Sequence, residues 1–169
     1  MFVLRLHLNE IHTWADRYDY PEEEIFVQEV GPRIRGRRFC TAADLVRLCE
    51  WKSPRIRSRC GKNEPAYVEA VTRIALTTPH ERLRIEVLTL LSGVGWPMAS
   101  VILHWGHHDP YPILDSRALW SLGISDPPAY TFEFWEAYTG FCRHLSHHTS
   151  ISMRRLDRAL WQYAKENQL

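Results

Sequence analysis

The chain of 169 residues is 45% hydrophobic and 12% aromatic with a net charge of +1, which excludes an intrinsically disordered protein. Its opening stretch, MFVLRLHL, is too short and too charged for a signal peptide or a membrane span, so we expect a cytoplasmic protein that does not contact a membrane. This length suits one domain, or two small lobes that share a core.

Apolar residues follow helical spacing through most of the chain, and we therefore predict an all-α fold. Residues 1–8 are the one segment whose pattern is compatible with a strand. The first helix is expected within residues 9–18. A second begins at a capping box over residues 41–44 and ends before Pro54, and a third begins near Pro65.

Positive charge is concentrated in residues 31–62, where eight Arg and two Lys face two acidic residues, a local balance of +8. Seven acidic residues lie within residues 9–29. Because arginine binds phosphate with paired hydrogen bonds, the basic stretch suits a polyanion such as a nucleic acid. The alternative is intramolecular, with the arginines of residues 33–38 paired to the glutamates of residues 22–24.

The centre of the chain predicts two helices joined by a short glycine turn. Thr78 and Glu81 form a capping box with Pro79 at the first helical position, and the helix that follows stops at residues 92–95, Ser-Gly-Val-Gly. A second helix runs from there to about Trp105. Glycine permits positive φ and close approach of the backbone, and N–H groups at a helix start favour an anion, so the turn suits a phosphate.

A lone aspartate, Asp115, follows in the sequence PILDSR. We expect it and Ser116 to cap a short helix that ends at Gly123, with further helices from Thr131 and around Met153. The predicted single domain, 1–169, then has a hairpin core over about 79–123 and flanking helices over 9–77 and 131–167.

Side-chain metal sites and disulfides are not expected. The four cysteines, at positions 40, 49, 60 and 142, show no CxxC pairing, which argues against a disulfide framework and a structural zinc site. Neither of two histidine groups combines the i, i+4 face of a zinc-binding helix with an obvious third ligand: His104, His107 and His108, and His144, His147 and His148.

The segment LLSGVGWPMASVIL, followed by PYPILDSR, resembles the helix-hairpin-helix superfamily of DNA base-excision glycosylases. It is most similar to the branch that contains the adenine-specific mismatch glycosylases, in which a hairpin of type LPGVGxxTA precedes a PILD-containing loop. The match covers a third of the chain or less. It implies a compact multi-helix glycosylase fold, here with a shorter N-terminal part than typical members.

In that family the hairpin offers backbone N–H groups to a DNA phosphate, often through a bound monovalent cation such as K⁺ or Na⁺. The matching positions here are Gly93, Val94 and Gly95, followed by Met98. The family's essential aspartate matches Asp115, which implies that this carboxylate stabilises an oxocarbenium-like sugar and orients the attacking water. The target nucleotide must leave the duplex to reach it.

Two departures from the family pattern narrow the expected chemistry. Bifunctional members carry a nucleophilic lysine where this chain has Pro97, so no Schiff base is expected and the activity would be monofunctional. The four-cysteine loop that holds an iron–sulfur cluster in some members is absent, because Cys142 is the only cysteine after residue 60. No cofactor is expected beyond the monovalent cation.

Further DNA contacts are predicted, each with a structural alternative. Trp51 and Lys52 lie where relatives insert a wedge into the duplex, but they also suit an ordinary helix end. Trp96 stacks near the sugar or packs into the core. Phosphate contact is expected from the arginines after Pro54, which are Arg55, Arg57 and Arg59. The other candidates lie beside the turn or beside Asp115: Pro97, His107, His108, Ser116 and Arg117.

The sequence therefore predicts a monomeric, monofunctional DNA N-glycosylase that acts on double-stranded DNA with a flipped, damaged or mispaired base, and leaves the strand unbroken. Two alternatives stay open. One is a catalytically inactive helix-hairpin-helix module that binds DNA, which Pro97 and the short N-terminal part favour. The other is a helical protein-interaction domain whose basic stretch meets an acidic partner.

Overall fold

Helices make up all the regular structure in this computed structural model, which describes residues 2–168. The all-α prediction is confirmed for these residues. A strand is absent from residues 2–8, where the pattern allowed one, and Met1 lies outside the described residues. The N–H groups of Val3 and Arg5 instead donate to the carbonyls of Leu122 and Ser121, at 2.9 and 2.8 Å, so this segment pairs with the end of a helix.

The two longest α-helices are the last two of the chain. In chain order they are α1 (Ile11–Asp16), α2 (Gly31–Arg37), α3 (Ala42–Lys52), α4 (Arg57–Cys60), α5 (Pro65–Thr77), α6 (Glu81–Glu86), α7 (Trp96–Gly106), α8 (Ser116–Ser121), α9 (Phe132–His148) and α10 (Met153–Asn167). Shorter 3₁₀ and π turns cover Leu8–Glu10, Pro21–Glu23, Phe26–Val30, Pro54–Ile56 and Val87–Leu90. Within residues 2–168, no helix has the length and apolar character that crossing a membrane requires.

The chain divides into two compact units. The central unit is Glu22–Asp109, and the terminal unit consists of the described residues up to Pro21 together with those from Pro110 onward. The hairpin core predicted over 79–123 coincides with neither unit, because the division falls between Asp109 and Pro110. Periodicity and capping report on single helices, so they gave no sign of this boundary.

Helix α7 is the centre of the central unit and packs against α2, α3, α5 and α6. Its apolar run Met98–Leu103 is buried throughout. At its end, a Cβ added to Gly106 would lie 2.8 Å from Cγ2 of Ile34 and 3.2 Å from Cδ1 of Leu76, so only glycine permits this close approach. The packing of α7 fixes the position of the turn that precedes it.

Helix α10 has the same role in the terminal unit, where it packs against α1, α8 and α9. Its buried apolar face includes Leu156, Ala159 and Leu160. The same helix buries Asp157, which is 4% exposed. A buried carboxylate needs hydrogen-bond donors, and one donor to Asp157 is the N–H of Ile113 in the loop before α8.

Two capping boxes predicted from sequence have different outcomes. The Thr41 box is confirmed, because its side chain accepts from the N–H of Asp44 while Asp44 accepts from the N–H of Thr41. The Thr78 box is wrong. Thr78 ends α5, its Oγ1 accepts from the N–H of His80 at 3.2 Å, and α6 begins only at Glu81. Glu81 pairs with Arg84 rather than with a helix start.

The basic stretch is partly neutralised by Asp44. Arg33 donates to Oδ1 of Asp44 at 2.8 Å, and Arg37 donates to Oδ2. Burial alone would raise the pKa of Asp44, but hydrogen bonds from Arg33 and Thr41 and the charge of Arg37 hold that pKa below its usual value. Asp44 therefore ties α2 to the start of α3.

A disulfide joins α3 to α4, which corrects the expectation that none would form. It links Cys49 to Cys60 over a sequence separation of 11, with their Cα atoms 6.8 Å apart. The chain reverses direction at Pro54, and a spacing rule such as CxxC does not register that reversal. Cys40 and Cys142 are buried and free.

Reduction of the Cys49–Cys60 disulfide is expected to lower the free energy of unfolding by about 2–3 kcal/mol, because it frees a closed loop in the unfolded chain. Urea unfolding with and without a thiol reductant measures this. The double variant Cys49→Ala/Cys60→Ala is the control and should not respond to reductant. An equal response of both proteins would contradict the assignment.

Asp44→Asn is expected to lower the free energy of unfolding at pH 7 by about 1–3 kcal/mol, because it leaves Arg33 and Arg37 without a charged partner. The pKa of Asp44 is lowered by folding, so its contribution is present above about pH 4 and is lost as pH falls through the folded pKa. Urea titrations from pH 7 to pH 3 should therefore converge for the two proteins. Asp19→Asn, at an exposed site, should change little at any pH.

Candidate functional site

The glycine turn, residues 91–95, is a tight connection closed by its own backbone. The N–H of Leu91 donates to the carbonyl of Leu88 at 3.1 Å, and that of Val94 donates to Leu91 at 3.0 Å. Gly93 has φ of 83°, a value that side chains of L-residues rarely tolerate. A Cβ there would also lie 2.9 Å from Sγ of Cys60, so both conformation and space require glycine.

The turn presents backbone N–H groups at the start of α7. Within residues 2–168, those of Gly93, Gly95 and Met98 have no protein acceptor, and Pro97 has no N–H. Val94 differs from the prediction: its N–H is engaged with Leu91, so this residue contributes packing rather than a donor. Three of the four predicted backbone positions thus keep an N–H for an anion.

Asn63 holds the turn from the side. Its Oδ1 accepts from the N–H of Ser92 at 2.8 Å, and its Nδ2 donates to the carbonyls of Ser92 and Cys60 at 3.0 and 2.9 Å. The turn is therefore bonded directly to the end of α4. Sequence reasoning missed Asn63, because it is separated from Ser92 by 29 positions and no local pattern indicates the contact.

The arginine segment, residues 53–62, lies against the turn, because Asn63 bonds both Cys60 and Ser92 and a Cβ on Gly93 would lie 3.0 Å from Cβ of Arg59. Arg55, Arg57 and Arg59 are exposed, as a phosphate-binding role requires. Arg57 lies 3.5 Å from the exposed carboxylate of Glu50, a surface pair that solvent screens. Arg33 and Arg37 of the basic stretch are instead engaged with Asp44.

The other candidates near the turn divide into packed and exposed groups. The ring of Trp51 lies 5.3 Å from that of Phe26 and 5.6 Å from that of Trp105, which supports its structural alternative and not a wedge. His107 is half-buried and its Nδ1 accepts from the N–H of Asp109 at 2.9 Å. Burial, and next the charge of Arg84, lower the pKa of His107, so its ring is neutral at pH 7.

The four remaining candidates of the central unit are placed as follows: Lys52, Trp96 and Pro97 are half-buried, and His108 is exposed.

Asn63→Ala is expected to loosen the glycine turn, because it removes three hydrogen bonds at once. The amide of Ser92 should exchange with solvent about fivefold to tenfold faster, as the loss of about one net hydrogen bond predicts. Hydrogen–deuterium exchange followed by NMR measures this rate. Asn167→Ala removes an exposed asparagine from α10 and should leave Ser92 unchanged; equal exchange in both variants would show that Asn63 does not hold the turn.

The aspartate loop, residues 110–115, is held by buried side chains of the terminal unit. The N–H of Ile113 donates to Oδ1 of Asp157 at 3.2 Å, and its carbonyl accepts from the hydroxyl of Tyr138 at 2.8 Å. Arg143 donates to the carbonyl of Pro110 at 2.8 Å. Both backbone groups of Ile113 are thereby engaged two residues before Asp115.

Aromatic packing supports the same loop. Tyr111 is 1% exposed and stacks on Trp135, with ring centroids 5.7 Å apart and an interplanar angle of 10°. The guanidinium of Arg143 covers the ring of Tyr111 at 4.4 Å. Tyr111 is therefore a packing residue rather than part of an open recess.

Asp115 is the N-cap of α8, as predicted. Its backbone is extended, and its Oδ1 accepts from the N–H of Arg117 at 2.9 Å. It is half-buried, whereas Ile113 and Leu114 before it are buried and Ser116 after it is exposed. The chain thus emerges from the core at Asp115, and the cap fixes the direction of its carboxylate.

Two tyrosines that the sequence did not identify lie within electrostatic range of Asp115. Burial, and next the negative charge of Asp115, raise the pKa of Tyr130. Burial chiefly raises the pKa of Tyr138 well above its usual value, and Asp115 contributes to that rise after Cys142 and Asp157. Both phenols stay protonated at neutral pH, and the Tyr138 hydroxyl already donates its proton to the carbonyl of Ile113.

Metal-binding clusters of three or more His, Cys, Asp or Glu do not occur in the part of the chain that the structure describes. An open groove of about 550 Å³ is lined by Ala42, Ala43, Val46, Arg47, Glu50 and Gly61. None of these residues belongs to the glycine turn or the aspartate loop. The groove is therefore not the candidate site.

The glycine turn and arginine segment belong to the central unit, and the aspartate loop with Asp115, Ser116 and Arg117 belongs to the terminal unit. Each group is assembled within its own unit by contacts far apart in sequence. Comparison of the sequence with protein-family models finds no matching family, and searches of curated proteins and of solved structures find no match either.

Proposed function

We propose that the protein is a monofunctional DNA N-glycosylase with a fold of the helix-hairpin-helix type. It hydrolyses the bond between deoxyribose and a damaged or mispaired base in double-stranded DNA, and it leaves an abasic site in an unbroken strand. The observation that carries the proposal is the placement of Asp115. Its carboxylate caps α8, which fixes its direction. It is half-buried at the end of a loop that buried side chains hold in place.

Such a carboxylate suits the charge that develops in this reaction. As the glycosidic bond breaks, positive charge accumulates on the sugar, and a fixed negative charge beside it lowers the barrier. A carboxylate that cannot rotate away also orients the attacking water and accepts its proton. A base within a duplex is out of reach, so the target nucleotide is extruded from the stack.

The glycine turn is proposed as the phosphate anchor. The N–H groups of Gly93, Gly95 and Met98 supply donors, and the arginine segment adds positive charge through exposed side chains. The turn also fits a monovalent cation, since its carbonyl oxygens are uncharged hard ligands, and those of Gly93 and Val94 accept no hydrogen bond from residues 2–168. Such an ion would supply positive charge beside the phosphate.

Strand cleavage is not part of the proposal. Pro97 stands where bifunctional relatives of the proposed family carry lysine, and its ring nitrogen cannot form a Schiff base. Asp115 then acts through water and not beside an amine nucleophile. The non-enzymatic alternative, a module that binds DNA without excising a base, shares the anchor and lacks only the chemistry of Asp115.

Asp115→Asn is expected to lower the rate of base release by at least about 100-fold, because asparagine keeps the helix cap but carries no charge. The assay uses duplexes that contain deaminated, oxidised, alkylated or mismatched bases. Products are resolved with and without hot alkali, and strand breaks should appear only with alkali.

Asp126→Asn is the matched control, since Asp126 is an exposed aspartate of the same unit. It should release base at the wild-type rate. If no duplex loses a base, or if Asp115→Asn acts as fast as wild type, the protein is not a glycosylase of this mechanism. DNA affinity that falls steeply with salt in that case would favour the non-enzymatic module.

A further inference from the structure

A cluster of aromatic rings in the terminal unit has no role in the function proposed above. Tyr18 and Tyr20 follow α1, and Trp161 lies on α10. Their ring centroids are 4.6 Å apart for the two tyrosines, and 5.6 and 5.2 Å from Trp161 to Tyr18 and Tyr20. All three rings are half-buried, so the cluster reaches the surface.

Four cations surround these rings. The guanidinium of Arg117 lies 4.5 Å from the centroid of Trp161. The Nζ of Lys165 lies 5.0 Å from that of Tyr20 and donates to its hydroxyl at 2.6 Å. Arg154 and Arg158 each lie 5.5 Å from the centroid of Tyr18. We call these seven residues the aromatic–cation surface: Tyr18, Tyr20, Arg117, Arg154, Arg158, Trp161 and Lys165.

The neighbouring carboxylates are mostly committed elsewhere. Glu166 pairs with Arg17 and also lies within electrostatic range of Lys165, and Asp16 pairs with Arg155. Asp157 is buried, lies 3.9 Å from Arg154 and accepts the N–H of Ile113. Asp19, which separates the two tyrosines in the sequence, is exposed. The surface thus keeps an excess of positive charge.

This arrangement suits a phosphate backbone. A guanidinium that packs on a ring is held in place, while its N–H groups can still contact phosphate oxygens. Because the arginine side chain is ordered before the ligand binds, less conformational entropy is lost on binding. Exposed ring edges add a platform against which sugars and unpaired bases pack. An acidic protein surface would require only the charge, whereas the rings favour a nucleic acid.

The surface begins beside the aspartate loop. The N–H of Arg117 is the donor to Asp115, and the guanidinium of the same residue covers Trp161. We propose that the aromatic–cation surface is a DNA-binding surface that holds backbone phosphates next to Asp115. This inference rests on the proposed function, because it takes DNA as the ligand, and it adds residues of α10 and the Tyr18–Tyr20 segment to the interface.

The test measures affinity for a fluorescein-labelled 20-base-pair duplex as a function of salt. Arg158→Gln/Lys165→Gln removes two charges from the surface, and it should weaken binding at least about fivefold and reduce the salt slope by about 1–2, as the loss of one or two phosphate contacts requires. Arg17→Gln/Arg155→Gln removes two charges from ion pairs of the same unit and should bind like wild type. The charge-preserving variant Arg158→Lys/Lys165→Arg should keep the wild-type slope.

Thermal unfolding of each variant establishes that it is folded. The single variant Lys165→Gln, at an exposed site, repeats the affinity measurement with one charge removed and should reduce the salt slope by about 1. Equal losses in the two double variants, or no loss in either, would overturn the surface. Base release dependent on Asp115 would still stand in that event. A wild-type protein that binds no DNA would overturn both proposals.

Discussion

The backbone of Ile113 is held by two buried side chains, and the position of Asp115 depends on that constraint. Asp157 accepts its N–H and Tyr138 donates to its carbonyl. Burial of the Asp157 carboxylate is unfavourable unless donors compensate for the lost water, and the loop supplies one of them. Through Asp157, α10 thereby fixes where the chain leaves the core and where Asp115 caps α8.

The central unit presents its candidate groups by a different means. The glycine turn offers backbone atoms, so its geometry depends on conformations that only glycine adopts and on the absence of a Cβ at Gly93. Asn63 then bonds the turn to the end of the arginine segment at Cys60, and the Cys49–Cys60 disulfide ties that end to α3. Backbone donors and flexible arginines are thus held close together by contacts within the central unit.

Sequence reasoning predicted most interactions between residues close in the chain and missed those between distant residues. Helix ends at Thr41, Pro65 and Asp115 were predictable, because a cap is determined by residues within one turn. The Thr78 box obeyed the same rule and was wrong, since the chain stays extended there and Glu81 pairs with Arg84. The contacts Cys49–Cys60, Asn63–Ser92 and Asp157–Ile113 join distant positions, and neither periodicity nor spacing encodes them. For the candidate site, the sequence therefore supplied candidate residues but not the residues that position them.

The most direct measurement of the central claim compares two duplexes with abasic-site analogues. One carries a pyrrolidine whose ring nitrogen is protonated and resembles the charged sugar, and the other carries a neutral tetrahydrofuran of the same shape. If Asp115 lies against the developing charge, the wild-type protein should bind the cationic analogue at least about tenfold more tightly, and Asp115→Asn should lose that preference. Equal affinity of the wild-type protein for the two duplexes would contradict the account.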